Sequence, residues 1–359
     1  MTENDDELLE QTRRELLAAG VSPPDLTLPE GYDARAEASL VAILATARPR
    51  PASRRTWWRI GAVVAAAAVV VAIVIGMVRT GPTPVAQAGT PPLLSFHDVD
   101  PGTLPTTGTD AAGPLHDLAA RARSLSGPGD GPVQHLVFDA WWASTGEEDG
   151  DTETQSAVVP LEHEIYLLPD GTYRSIERRG TPLDQQGRID PEAGWAQGPA
   201  VTDESIRDAS RPADLADTLP TDPAALSQRF AADDDPTTCA DGGCLLDEAL
   251  SVLGRYAVTP ALTAALWEAL ADDDSVSYLG TTRDRLGRTA EAFMSPGLDR
   301  HSQRLLFIDP ATGAYLGDET VLTSQSEAWS FTPPAVIEFN ALVDVGRIPL
   351  ADVPPTAAK

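Results

Sequence analysis

The alternation of apolar and polar positions changes character at one place. From Ile60 to Val78 nineteen residues pass without a charge or a strong hydrogen-bonding side chain, and eleven of them (Ile60, Val63, Val64, Val69, Val70, Val71, Ile73, Val74, Ile75, Met77, Val78) are strongly apolar. As a helix this run is about 28 Å long, close to the hydrocarbon thickness of a bilayer, and it pairs its own backbone groups while crossing. The pattern predicts one transmembrane helix within residues 57–79. Before it the period is helical: Leu8, Leu9, Leu16 and Leu17 share a face in residues 5–19, and Leu40, Val41, Ile43 and Leu44 recur in residues 32–47, with proline and glycine between. Two such helices bury too little to be stable alone, so the arm 1–56 is expected to stay mobile or to dock on a partner.

Beyond the run, residues 81–92 are rich in proline and small side chains and read as a linker, followed by a first strand over Leu93–Val99. Helical spacing then predicts a helix over Gly113–Leu125, and a change to period two predicts strands over Val133–Trp142, Val158–Leu168 and Thr172–Arg179. Pro169-Asp170-Gly171 supplies a tight hairpin turn between the last two. Residues 180–212 read as irregular. Helices are expected over Pro223–Phe230, Leu245–Tyr256 and Ala261–Ala271, two of them started by a cap followed by proline (Asp222-Pro223, Thr259-Pro260). Five strands close the chain: Val276–Thr281, Arg288–Met294, Arg304–Ile308, Ala314–Thr323 and Ala335–Val343. The resulting expectation is an α+β protein: a helical cytoplasmic arm (1–56), one transmembrane helix (57–79), a linker with a first strand (80–112), an extracytoplasmic domain of largely antiparallel sheet with packed helices (113–347) and a tail (348–359).

Charge orients this arrangement. Arg48, Arg50, Arg54, Arg55 and Arg59 precede the apolar run and only Arg79 closely follows it, which keeps the N-terminal side in the cytoplasm; Trp57 and Trp58 fall at headgroup level. Ala86-Gln87-Ala88 has the form of a signal cleavage site, but an arm of about sixty residues and a nineteen-residue run exceed a signal peptide, so an uncleaved anchor is expected. The net charge of −28 offers no basic surface for phosphates, which disfavours nucleic acid as a partner. Arginine almost without lysine, together with abundant alanine, suggests a high-GC genome and hence a bacterial plasma membrane.

Candidate chemistry is sparse. Cys239 and Cys244 enclose Ala-Asp-Gly-Gly and suit a disulfide across a turn in an oxidising compartment, with free or redox-active thiols as the alternative. No further ligands stand beside them to complete a metal site. No nucleophile elbow, phosphate loop or dinucleotide fingerprint is present, so no enzyme activity and no cofactor are expected. His97, His116, His135, His163 and His301 show no ligand spacing; period two places His163 with Leu161, Ile165 and Leu167 as a partly buried structural residue. Asp149, Asp151 and Glu153 resemble the start of a calcium loop, but Thr154 and Pro160 stand where glycine and glutamate are needed. Asp233–Asp235 and Asp272–Asp274 read as solvated loop charges. Gly61 with Ala65, and Ala72 with Gly76, have the small-residue spacing of a helix dimer, which chance also supplies in an alanine-rich run.

Several stretches together resemble a known family. These are the arginine-rich flank and Ala/Val run, Ala86-Gln87-Ala88-Gly89-Thr90-Pro91-Pro92-Leu93-Leu94, Leu168-Pro169-Asp170-Gly171, Leu219-Pro220-Thr221-Asp222-Pro223, and Ile308-Asp309-Pro310-Ala311-Thr312-Gly313-Ala314-Tyr315-Leu316-Gly317. Over about residues 54–345 the chain is similar to an uncharacterised family of single-span actinobacterial envelope proteins, often found beside extracytoplasmic-function sigma factors. That resemblance implies signal transduction, including an anti-sigma role. The leading expectation is therefore a membrane-anchored regulator. Its exported domain would sense an envelope ligand, and its arm would engage a sigma factor through Leu8, Leu9, Leu16, Leu17, Leu40, Ile43 and Leu44. The alternative is an envelope lipid- or ligand-carrier module, with Phe138, Trp141, Trp142 and Tyr166 as lining residues.

Overall fold

The computed structural model describes residues 90–96, 103–105, 107–147, 154–182, 200–207, 212–233, 244–297 and 299–356, all within the unit Arg59–Lys359. The arm residues Leu8, Leu9, Leu16, Leu17, Leu40, Ile43 and Leu44, the run Ile60–Val78 and Cys239 lie outside the described residues.

Among the described residues ten strands form one sheet: β1 (Thr109–Asp110), β2 (Val133–Glu147), β3 (Thr154–Leu167), β4 (Thr172–Arg179), β5 (Ala200–Arg207), β6 (Ser277–Arg283), β7 (Thr289–Pro296), β8 (Ser302–Ile308), β9 (Tyr315–Leu322) and β10 (Ala335–Ile348). Their order is β1-β6-β7-β8-β9-β10-β2-β3-β4-β5. Each neighbour is antiparallel. The decisive join is β10 with β2, which sets Leu342 opposite Phe138, Asn340 opposite Ala140 and Glu338 opposite Trp142.

This corrects the expected α+β class, while the transmembrane helix expected within residues 57–79 lies outside the described residues. The two strand sets that a helical block separates along the chain are halves of a single sheet. The helices among the described residues are few and short: α1 (Ala112–Ala122), α2 (Leu215–Thr218), α3 (Pro223–Asp233), α4 (Cys244–Leu253) and α5 (Pro260–Ala271). None of them is long and apolar enough to cross a membrane. The physical reason for the miss is that β10 and β2 are nearly two hundred residues apart, and local periodicity carries no information about which strands pair.

The helices cover one face. In α1, Leu115, Leu118, Ala119 and Ala122 are buried along one stripe, and the Asp110 carboxylate accepts the Ala112 N–H at 3.0 Å. In α5, Thr259 caps the Leu262 N–H at 3.2 Å with Pro260 at the first position. These stripes meet Leu136, Phe138, Leu161, Ile165, Phe293, Leu306, Ile308 and Leu342 of the sheet in one core. Trp267 of α5 is fully buried and donates its indole N–H to the Gly313 carbonyl at 2.8 Å. Gly313 has φ +75°, and a Cβ there would meet the Leu118 carbonyl oxygen at 2.3 Å, so the Asp309–Gly313 turn needs glycine to lie this close to α1.

Two further expectations change. Residues 90–96 form no strand; they lie against the other face, where Phe96 and Leu104 pack with Leu279, Ala292 and Phe307. Thr282 donates to the Ser95 carbonyl at 2.7 Å and Arg285 to the Pro92 carbonyl at 2.8 Å. Within the stretch expected to be irregular lies β5, a strand at the sheet edge whose apolar side chains Val201 and Ile206 are exposed, so burial imposed no readable alternation.

Candidate functional site

Where α4 meets the sheet, the core turns polar. Arg304 of β8 sits on the same face as Leu306 and Ile308, facing Asp318 and Thr320 of β9, and then Glu338 and Asn340 of β10. Its guanidinium lies 3.0 Å from Asp247 of α4, 3.3 Å from Asp318 and 3.6 Å from Glu338, and it also donates to the Thr320 hydroxyl. Tyr315 donates to Asp318 at 2.5 Å. Asn340 donates to Glu338 at 3.1 Å while accepting the Trp142 indole N–H at 2.9 Å. Three carboxylates thus share one guanidinium, and among the described residues one oxygen of Asp247 is buried with no hydrogen-bond partner.

Burial pushes the Asp247 carboxyl up to about 6; Arg304 opposes the shift, and Asp318 and Glu338 add to it. Burial also raises Asp318 against the pull of Arg304. For Arg304 burial acts downward, but Asp318, Glu338 and Asp247 outweigh it and hold the guanidinium above its ordinary value. The cluster can take up or release a proton at the contact between a helix and the sheet.

A second polar group lies on the opposite face of β2–β4. Glu164 accepts from Tyr166 and contacts His135 and Arg178, each at 3.0 Å; His135 stacks on Tyr166. Arg174 grips Asp203 through two bonds of 2.7 and 2.8 Å and donates to the Pro354 and Pro355 carbonyls, fixing the C-terminal segment across β4. Nearby, a cleft of about 580 Å³ is lined by Gln134, Asp170, Asp214, Asp217, Arg207 and Arg347 among others. Its mixed charges select no single class of ligand.

Of the residues singled out in the sequence, Cys244 opens α4, is buried and is disulfide-bonded; its expected partner Cys239 is outside the described residues. His163 is buried on the helix-covered face, 2.9 Å from the Ser175 hydroxyl and edge-on to Trp142. The four aromatic side chains considered as a lining are split: Phe138 and Trp142 face the helices, Trp141 packs with Phe339, and Tyr166 packs with Val133 and Ile176. No group of histidine, cysteine and acidic side chains suited to a metal occurs among the described residues. Asp149, Asp151 and Glu153 are outside them.

Sequence reasoning did not find Asp247, Arg304, Asp318, Glu338 or Asn340. A signal existed, because period two puts Arg304 in line with Leu306 and Ile308, an arginine on an apolar face, which demands a partner.

No family model matches the chain, and no curated protein does. Among solved structures it is similar to the crystal structure of an inactive mutant of the CurK dehydratase, at 13% identity over 73% of this chain and 85% of that chain. The TM-score of 0.14 is too low for the likeness to carry any argument about fold or activity.

Proposed function

We propose that the chain is a regulatory protein of the bacterial plasma membrane, attached to the bilayer through Ile60–Val78. Its arm lies in the cytoplasm and engages a sigma factor, and its sheet domain on the outer side senses an envelope ligand or condition. The observation that carries this reading is the interface of α4 with the sheet. It joins a helix to strands β8, β9 and β10 through a shared ion cluster as well as apolar contacts, so its strength can change with charge state. The arginine asymmetry and the apolar faces of the arm support the topology and the cytoplasmic contact. The carrier reading draws less support, since the aromatic side chains it needs are divided between the two faces of the sheet and Phe138 and Trp142 pack among helices.

The test is affinity capture on the full-length chain in detergent. It should retain a sigma factor, and a Leu16→Asp, Leu44→Asp double variant should lose it. Absence of any sigma factor, or equal retention by both proteins, overturns the reading.

A further inference from the structure

Asp247 stands in the first turn of α4, whose other side chains Leu246, Leu250 and Leu253 are sunk in the core. Its side chain is mostly enclosed between that helix and the sheet, with 15% of it exposed. The charged groups acting on it come from four elements: Arg304 of β8, Asp318 of β9, Glu338 of β10 and Glu248 of its own helix. Two more helices pack on α4. In α3, Arg229 is exposed and already engaged; in α5, Glu268 is ion-paired with Arg123. With every acid ionised, the shared guanidinium leaves an excess of negative charge between helix and sheet. Asp247 and Asp318 are mostly enclosed, and like charges there repel more than in water because the surroundings screen them less. One proton halves the excess without breaking the Arg304–Asp318 pair, and the unpartnered oxygen of Asp247 is available to carry it.

We propose that this cluster is an acid-responsive clamp: uptake of one proton from solvent by Asp247 tightens α4 against the sheet, and its release loosens the helix. No electron or second reactant is involved; the proton moves between water and a carboxylate. Burial lifts the Asp247 carboxyl to about 6 from 3.8, which places the change within the range of ordinary environments. The folded value lies above the unfolded one, so the folded form binds more protons between the two. The clamp therefore strengthens as pH falls through about 6 and weakens as pH rises through it. It rests on the geometry of the domain alone, so its test and the sigma-factor test fail independently.

Hydrogen exchange of the full-length chain, corrected for intrinsic rates, tests the clamp at the amides of Cys244–Leu253. We expect up to roughly tenfold greater protection at about pH 5 than at about pH 7.5. Asp247→Asn should lose this gain in protection at about pH 5. Glu338→Gln, which removes a neighbouring negative charge, should shift the midpoint to lower pH. Equal protection of the parent at both pH values overturns the clamp, as does an unchanged pH response in Asp247→Asn. Should that variant not fold, an unmoved midpoint in Glu338→Gln overturns it instead.

Discussion

Replacing Arg304 with methionine retains a stem of similar reach and removes the charge that three carboxylates share. In the parent these contacts are 3.0, 3.3 and 3.6 Å. Asp318 is almost wholly enclosed, at 4% side-chain exposure, whereas Glu338 at 39% reaches water and can turn outward. Breaking a buried pair by deleting one partner costs about 3–5 kcal/mol, and the freedom of Glu338 places this case near the lower end. For a domain of this size about 3 kcal/mol corresponds to a fall of roughly 6–12 °C in Tm. Thermal unfolding of the full-length chain at neutral pH, followed by circular dichroism, measures it. At about pH 5 the loss should shrink to roughly half, because protonated carboxyls repel one another less. Arg123→Met is the comparison. It removes a contact with Glu268 in which the arginine side chain is 51% exposed, so less than about 1 kcal/mol is expected. An Arg304→Met protein as stable as the Arg123→Met protein, or equally weakened at both pH values, would refute the reasoning.

Trp267→Phe preserves most of the buried ring but strands the Gly313 carbonyl, so urea unfolding should show a loss of about 1–2 kcal/mol. Trp267→Ala should lose about 3–5 kcal/mol through the cavity it leaves; parent-like stability in Trp267→Phe would deny the indole hydrogen bond any role. Burial holds the His163 imidazole below 6.5; Glu177 opposes this and Arg179 reinforces it. Its folded value is depressed, so its contribution is present at neutral pH and is lost as pH falls below about 6.5, opposite in sign to Asp247. In an Asp247→Asn background, unfolding midpoints should therefore decline toward about pH 5, and adding His163→Gln should flatten that decline; an unaltered slope would remove His163 as its source.

What the sequence disclosed was local. The Leu168–Thr172 hairpin closes with the Leu168 N–H donating to the Thr172 carbonyl at 2.9 Å, and Asp222 and Thr259 cap their helices, because turns and caps depend on a few adjacent residues. The inward placement of His163 followed from simple alternation. The single sheet did not follow, since β10 and β2 pair across a long separation in sequence that local periodicity does not encode. Nor did β5, where an edge position leaves Val201 and Ile206 in solvent. The ion cluster draws one or two residues from each of several distant elements, so no short motif contains it; only Arg304 among leucine and isoleucine hinted at it.

The reading stands or falls on the arm and the sheet domain lying on opposite sides of a membrane. Ser95 has an exposed side chain, and Ser53 precedes the apolar run. Each is replaced singly by cysteine in a Cys239→Ser, Cys244→Ser background, and a membrane-impermeant maleimide is applied to intact, wall-stripped cells. The account predicts labelling of the Ser95→Cys protein and none of the Ser53→Cys protein until the cells are opened. Labelling of Ser53→Cys in intact cells, or of neither position before lysis, would contradict it.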